Sequence, residues 1–335
     1  MKITAVDLSD REALGELHRA GLTAHRNDRP TVPFWGEDEV LAMLTGDDPE
    51  ERFVPLLARD DDGTVLGSAI IFIPLLDNLD KMFADLSVLP EHRGRGVGDA
   101  LLEEIQSVAR AEGRTVLLVE GYFPIDADDS HPVRAFALRH GFILANTEVR
   151  RTLRLPLDDT TLRGWADDAA RHHEGYRIET YVDIVPPELR ASFVDLQNQL
   201  AVDAPTGEID FEAGRRTVEV YEQQSQQRME TGRKVLITVA VREGQAVAHS
   251  TISIPPGDEE LPHMSQWGTY VHREHRGHRL GLATKARNLV VVQKEHPERT
   301  LLHTTNSPVN GPMVAINQAM GFVPNEVLGE FMHRI

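Results

Sequence analysis

The chain of 335 residues repeats itself, and this restricts its fold more than any other feature. Gly63 and Thr64 open an apolar run that ends at Pro74; Gly244 and Gln245 open a similar run that ends at Pro255, 181 residues later. Val88, Glu91, His92, Arg93, Gly94 and Gly98 recur as Val271, Glu274, His275, Arg276, Gly277 and Gly281, 183 residues on. Gly141-Phe142 recurs as Gly321-Phe322 at a spacing of 180. Three signals in one order at nearly constant spacing indicate a duplication, with the drift absorbed by loops. The length independently suits two domains. The expected division is a first domain over 1–155, a polar and acidic linker over 156–175 with one helical turn around Trp165, and a second domain over 176–335.

Both copies give the same coarse pattern. An early helix is expected from Leu14, Leu17, His18 and Gly21, and again from Leu189, Phe193, Leu196 and Leu200, at helical spacing. Two strands follow, over 53–58 and 65–73 in the first copy and over 235–241 and 246–254 in the second. A third strand ends at Val88 or Val271, where a glycine-containing loop opens a helix. In the first copy that helix carries Leu101, Leu102, Ile105 and Val108 on one face and stops at Gly113. A further strand (116–119 or 301–304), a helix, the Gly-Phe pair and a closing strand complete each copy, the closing strands lying near 151–155 and 330–335.

Composition removes several classes of function. No cysteine is present, which excludes disulfides, thiolate metal sites and an acyl-cysteine intermediate. The formal net charge of −18 argues against nucleic acid as a partner and favours a cationic substrate, although the same acidity also serves solubility. The longest apolar stretch, around residues 69–76, is too short to span a bilayer, and no signal-peptide core follows Met1. The expectation is a cytoplasmic protein, monomer or homodimer, that meets neither membrane nor nucleic acid.

The loop Pro90-Glu91-His92-Arg93-Gly94-Arg95-Gly96-Val97-Gly98 carries the chemistry. A helix amino terminus presents unpaired N–H groups and a positive dipole end, and glycines let a pyrophosphate approach them closely. Arg93 or Arg95 adds charge. A Walker loop is excluded because no Lys-Ser or Lys-Thr pair closes it, and a dinucleotide fingerprint would need glycine at Asp99.

Val88 followed by Arg93-x-x-Gly96-x-Gly98 resembles the acetyl-CoA loop of the GNAT superfamily, and strand order and Gly-Phe agree in both copies. The second loop, with His275, Arg276, Gly277, His278, Arg279, Leu280 and Gly281, is similar to that of tandem members of actinobacterial type and, more distantly, of mycothiol synthase. It departs from the family at Arg279, where glycine is expected. The resemblance implies an α/β (α+β) fold of two tandem domains, each a mixed, splayed sheet flanked by helices. It also implies direct acetyl transfer from acetyl-CoA to the amine of a small molecule.

Residue by residue, the resemblance assigns cofactor contact to Val88, Arg93, Gly94, Arg95, Gly96, Val97 and Gly98. In the second copy it assigns Val271, Arg276, Gly277, His278, Arg279, Leu280, Gly281 and Asn310. Backbone N–H groups near Val88 or Val271 would hold the thioester oxygen. Asp85, three residues before Val88, matches a position where the family often carries acid, and would take the ammonium proton. A strand-end cap or salt bridge is the plain alternative for Asp85, and its counterpart is Gly268. The family's usual acid, a tyrosine four residues before the Gly-Phe glycine, is replaced by Ala137 and Asn317. The first half thus keeps the fuller loop and a base, and the second keeps Asn310 with Asn306 one turn earlier. A non-catalytic acyl-CoA-binding sensor or scaffold is the alternative function. No metal site is expected: His272, His275 and His278 straddle a strand end and a loop rather than one helix face.

Overall fold

The first half opens with β1 (Lys2–Ala5) and α1 (Arg11–Asp28), whose start is fixed by the Asp10 carboxylate accepting the Ala13 N–H. After α2 (Glu37–Thr45) come β2 (Glu51–Arg59), β3 (Val65–Pro74) and β4 (Lys81–Val88), antiparallel neighbours. Then α3 (Val97–Ala111), β5 (Val116–Phe123) and α4 (Pro132–Arg139) follow, β5 running parallel to β4. Alternation along β3 sends adjacent residues to opposite faces. Ser68 meets Gly21 of α1, whereas Gly67 packs on Leu101 of α3, so the two helices cover opposite sides of the sheet. The helix faces expected from the periodicity are the buried ones, including Leu14, Leu17 and His18 of α1 and Leu101, Leu102 and Ile105 of α3.

The second half follows β6 (Ile143–Arg154). It comprises α5 (Asp159–Ala170), β7 (Arg177–Val182), α6 (Pro187–Asp203), α7 (Val218–Glu230), β8 (Lys234–Arg242) and β9 (Gln245–Ile254). It ends with β10 (His263–Val271), α8 (Leu280–Glu295), β11 (Leu301–Asn306), α9 (Gly311–Ala319) and β12 (Val323–Arg334). Along β8, Val235, Ile237, Val239 and Val241 join Leu189 and Phe193 of α6, while Leu236 joins Leu289 and Val292 of α8. Each such fully buried aliphatic or aromatic side chain stabilises the fold by about 1.5–3 kcal/mol.

The coordinates are a computed structural model describing residues 1–30, 32–257 and 262–335. They form two units, Met1–Asn146 with Gly329–Ile335, and Thr147–Leu328. This division differs from the sequence boundaries at 155 and 176. The closing strands are exchanged between the copies: residues 149–154 of β6 pair antiparallel with β11 in the second unit, and the end of the chain completes the first. The reason is packing. Leu153 and Leu155 enter the second unit's apolar cluster, whereas Phe331 packs on Phe123 and the Ile335 N–H reaches the Thr115 carbonyl at 2.9 Å. The expected linker holds the twelve-residue α5, whose Leu162 and Ala169 are buried against α8.

Both units part their parallel strands. Pairing of β4 with β5 stops at Ala84–Val119 although the strands run on to Val88 and Phe123. Pairing of β10 with β11 stops at Gln266–Thr304. A register shift between Gln266 and Thr269 inserts one residue into β10, and this bulge accounts for one residue of the drift in repeat spacing.

Candidate active site

In the first unit, β4 passes through a short 3₁₀ turn at Pro90–His92 into the glycine loop. Gly94 and Gly96 hold φ of 71° and 82°, a region open to glycine at little cost. A Cβ at Gly94 would meet nothing within 4 Å, and one at Gly96 only the Asp99 carboxylate at 3.9 Å, so the loop backbone faces open space. Val97 begins α3 with its first-turn N–H groups unpaired. Gly98 serves a different end: a Cβ there would come within 3.1 Å of the Phe136 ring of α4, which would have to shift.

Arg93 does not extend from the loop as a free charge. Its Nε donates to the Val88 carbonyl at 3.1 Å, and both terminal nitrogens bind Asp28 at the end of α1, at 2.9 and 2.8 Å. Arg95 is exposed and forms no hydrogen bond or ion pair among the described residues, leaving it as the loop's available cation.

Asp85 is the first residue of β4 beyond the last pair with β5. It lies opposite Ile70 of β3, on the α1 side of the sheet. Its side chain is reached by solvent yet its carboxyl is pushed above the usual carboxylate range by desolvation. The group is thus open to water yet crowded by the protein around it. Among the described residues no hydrogen-bond or ionic partner offsets that burial. Such an acid holds its proton more tightly and is a stronger base when ionised.

The second unit rebuilds the loop with different contacts. Arg276 repeats Arg93, its Nε on the Val271 carbonyl at 3.3 Å and its Nη2 on Asp203 at the end of α6 at 2.7 Å. Arg273 and the Tyr270 hydroxyl also bind Asp203, and these partners, Arg273 foremost, lower its pKa to about 2. Gly277 keeps φ at 86°, but the next left-handed position is Arg279, at φ 54°. A non-glycine there costs roughly 1–2 kcal/mol. Its guanidinium is paired with Asp168 of α5, and His278 Nδ1 meets the His172 carbonyl at 3.0 Å. Leu280 and Gly281 begin α8 as buried residues. Asn310 caps α9, its Oδ1 accepting the Met313 N–H at 3.3 Å. His275 bonds the Tyr176 hydroxyl at 3.0 Å, and among the described residues no three His, Cys, Asp or Glu side chains are grouped so as to hold a metal ion. In α7 the Tyr221 hydroxyl accepts the Val185 N–H and Glu222 pairs with Arg190.

Residues 51–144 match the acetyltransferase (GNAT) domain family. A tandem GNAT protein from the clavulanic acid biosynthesis pathway is 26% identical with a TM-score of 0.78, covering 99% of this chain and 98% of that one. The chain has the tandem GNAT fold. A GCN5-related N-acetyltransferase from Sphaerobacter thermophilus shares this fold at 16% identity, with a TM-score of 0.65 over 99% and 95% of the two chains. Mycothiol acetyltransferase of Acidothermus cellulolyticus is 31% identical over 137 residues, which is 40% of this chain and 38% of that relative. In this chain the Arg–Asp anchor is duplicated along with the loop, and residue order alone does not pair Arg93 with Asp28 or Arg276 with Asp203.

Proposed function

We propose that the chain is an acetyl-CoA-dependent N-acetyltransferase acting on a small-molecule amine, with its chemistry in the first unit. The placement of Asp85 carries this reading: a proton-hungry carboxylate stands where β4 leaves β5, beside an open glycine loop. The N–H groups of residues 94–98 and the Arg95 guanidinium suit a pyrophosphate. Asp85 takes a proton from the acceptor ammonium, the freed amine attacks the thioester carbonyl, and the C–S bond breaks to leave an acetamide and CoA. Unpaired backbone N–H groups of β4 beyond Ala84 stabilise the oxygen as charge develops. Ala137 offers no acid for the leaving thiolate, which therefore takes its proton from solvent.

The absence of a tyrosine at Ala137 and Asn317 favours, as a second reading, a scaffold that binds acyl-CoA without turnover. Calorimetric titration with acetyl-CoA, followed by a thiol-release assay over a panel of amines, separates the two. Binding with turnover that is lost in Asp85→Asn supports the enzyme. Binding without turnover on any amine supports the scaffold, and no binding at millimolar acetyl-CoA removes both.

A further inference from the structure

Where β10 and β11 part, the second unit buries polar groups on the α8 and α9 side of the sheet. They are Gln266, Thr304, Asn306, Arg151 of β6, Asn317 of α9 and Lys285 of α8. The first unit places apolar residues or glycine at the matching positions. Ala84 and Val119 are the last paired residues, Gly121 stands two beyond, Ala137 four before the Gly-Phe glycine, and Leu102 four after Gly98. The substitution of so many adjoining positions from apolar to polar is costly unless the groups are used.

The hydrogen bonds among them do not close. Arg151 Nη1 donates to Asn306 Oδ1 at 2.9 Å and to the Val149 carbonyl at 3.0 Å, both neutral acceptors. Asn317 Nδ2 donates to the same Asn306 oxygen at 3.0 Å, which leaves Asn317 Oδ1, wholly buried, without a donor. Lys285 is 2% exposed, and its Nζ lies 5.3 Å from the centre of the Phe322 ring. Among the described residues it forms no hydrogen bond or ion pair. The Phe322 N–H bonds the backbone carbonyl of Asn317 at 3.0 Å, which ties the residue carrying the unpaired amide oxygen to the residue whose ring Lys285 faces. Two buried cationic side chains thus adjoin the Asn306, Asn317 and Phe322 group, neither paired with a carboxylate among the described residues, and α9 carries no titratable group.

We propose that this corner binds a small organic carboxylate with a hydrogen-bond donor beside it, an α-amino or α-hydroxy acid. The carboxylate lies against Lys285 and Arg151, and the neighbouring N–H or O–H donates to Asn317 Oδ1. Burial lowers the Lys285 pKa to about 7 and that of Arg151 also, consistent with cations lacking an anion. An arriving carboxylate reverses this shift, so binding above neutral pH takes up a proton. The site is independent of the acetyl-transfer reading, and either can fail alone.

The test is calorimetric titration of the full chain with L-lactate, L-glutamate and propionate at pH about 8, in two buffers of different ionisation enthalpy. At least one of lactate and glutamate binds, with proton uptake, and propionate, which lacks the donor, binds about tenfold more weakly. Lys285→Leu and Asn317→Ala restore the first unit's residues. Lys285→Leu weakens binding by about thirtyfold or more and abolishes proton uptake. Asn317→Ala removes the preference over propionate. Acetyl-CoA binding by the first unit is unchanged in both, and an unaltered or raised Tm shows that they fold. The proposal is overturned if none of the three acids binds, if no proton is taken up, or if Lys285→Leu binds as the wild type does.

Discussion

At the parting of the parallel strands the first unit places Ala84, Val119 and Gly121, and the second Gln266, Thr304 and Asn306. The contrast extends to the loops. In the first, two left-handed glycines leave the backbone open; in the second, Arg279 takes the left-handed position and is tied to Asp168. Yet the anchor that fixes each loop, an arginine spanning a strand-end carbonyl and the last residue of the early helix, is the same in both. Duplication has preserved the frame that shapes the loop while the chemistry facing the gap has diverged. The frame is under tight steric and hydrogen-bond constraint, whereas the residues in the gap answer only to what binds there.

The largest expected effect tests the division of labour. Asp85→Asn lowers kcat/KM by about 10²–10⁴-fold while leaving acetyl-CoA affinity unchanged, as a steady-state assay beside calorimetry would show. In the wild type, activity rises with pH through the elevated Asp85 pKa. Because the folded-state pKa lies above the unfolded one, stability falls as pH rises across that interval, and Asp85→Asn melts higher than the wild type at neutral pH. A variant that is inactive and also less stable would assign Asp85 a structural role.

Next in size is the loop contrast. Gly96→Val forces a β-branched residue to φ 82°, costing about 2 kcal/mol, and removes acetyl-CoA binding by the first unit. Arg279→Gly relieves strain and gives up a half-exposed ion pair, so denaturant unfolding changes by less than about 1 kcal/mol. Equal responses at the two positions would dissolve the distinction between an open and an occupied loop.

Lys285 sharpens the comparison through pH. Its folded pKa of about 7 lies below the unfolded value near 10.5, so the native state binds fewer protons over that interval. Stability of the ligand-free chain therefore drops as pH falls from about 10 to about 7, and Lys285→Met removes the slope in thermal melts. The last comparison concerns the shared anchor. Asp203→Ala, which strips a nearly buried carboxylate from two arginines and a tyrosine, destabilises by about 2 kcal/mol, whereas Asp28→Ala at the half-exposed equivalent costs under about 1 kcal/mol. The stability held by Asp203 is lost as pH falls from its unfolded value through about 2.

Much of this was legible in residue order. Periodicity located the buried faces of α1 and α3, the glycine spacing located the loop, and the position of Asp85 before Val88 marked it as a candidate base. Arg93 and Arg276 were legible as charges but not as anchors, because Asp28 and Asp203 lie 65 and 73 residues away. Lys285 sits in α8, whose residues 280–286 are all buried, and only that burial separates it from a surface lysine.

By itself the sequence determined the duplication, the element order and the place of the glycine loop, since these rest on local spacing and backbone preference. Tertiary structure alone decided which closing strand completes which unit, where β4 and β5 part relative to Asp85, and which polar groups are left without partners. Those depend on register and packing between segments distant in the chain, where a shift of one residue exchanges every inward side chain for an outward one.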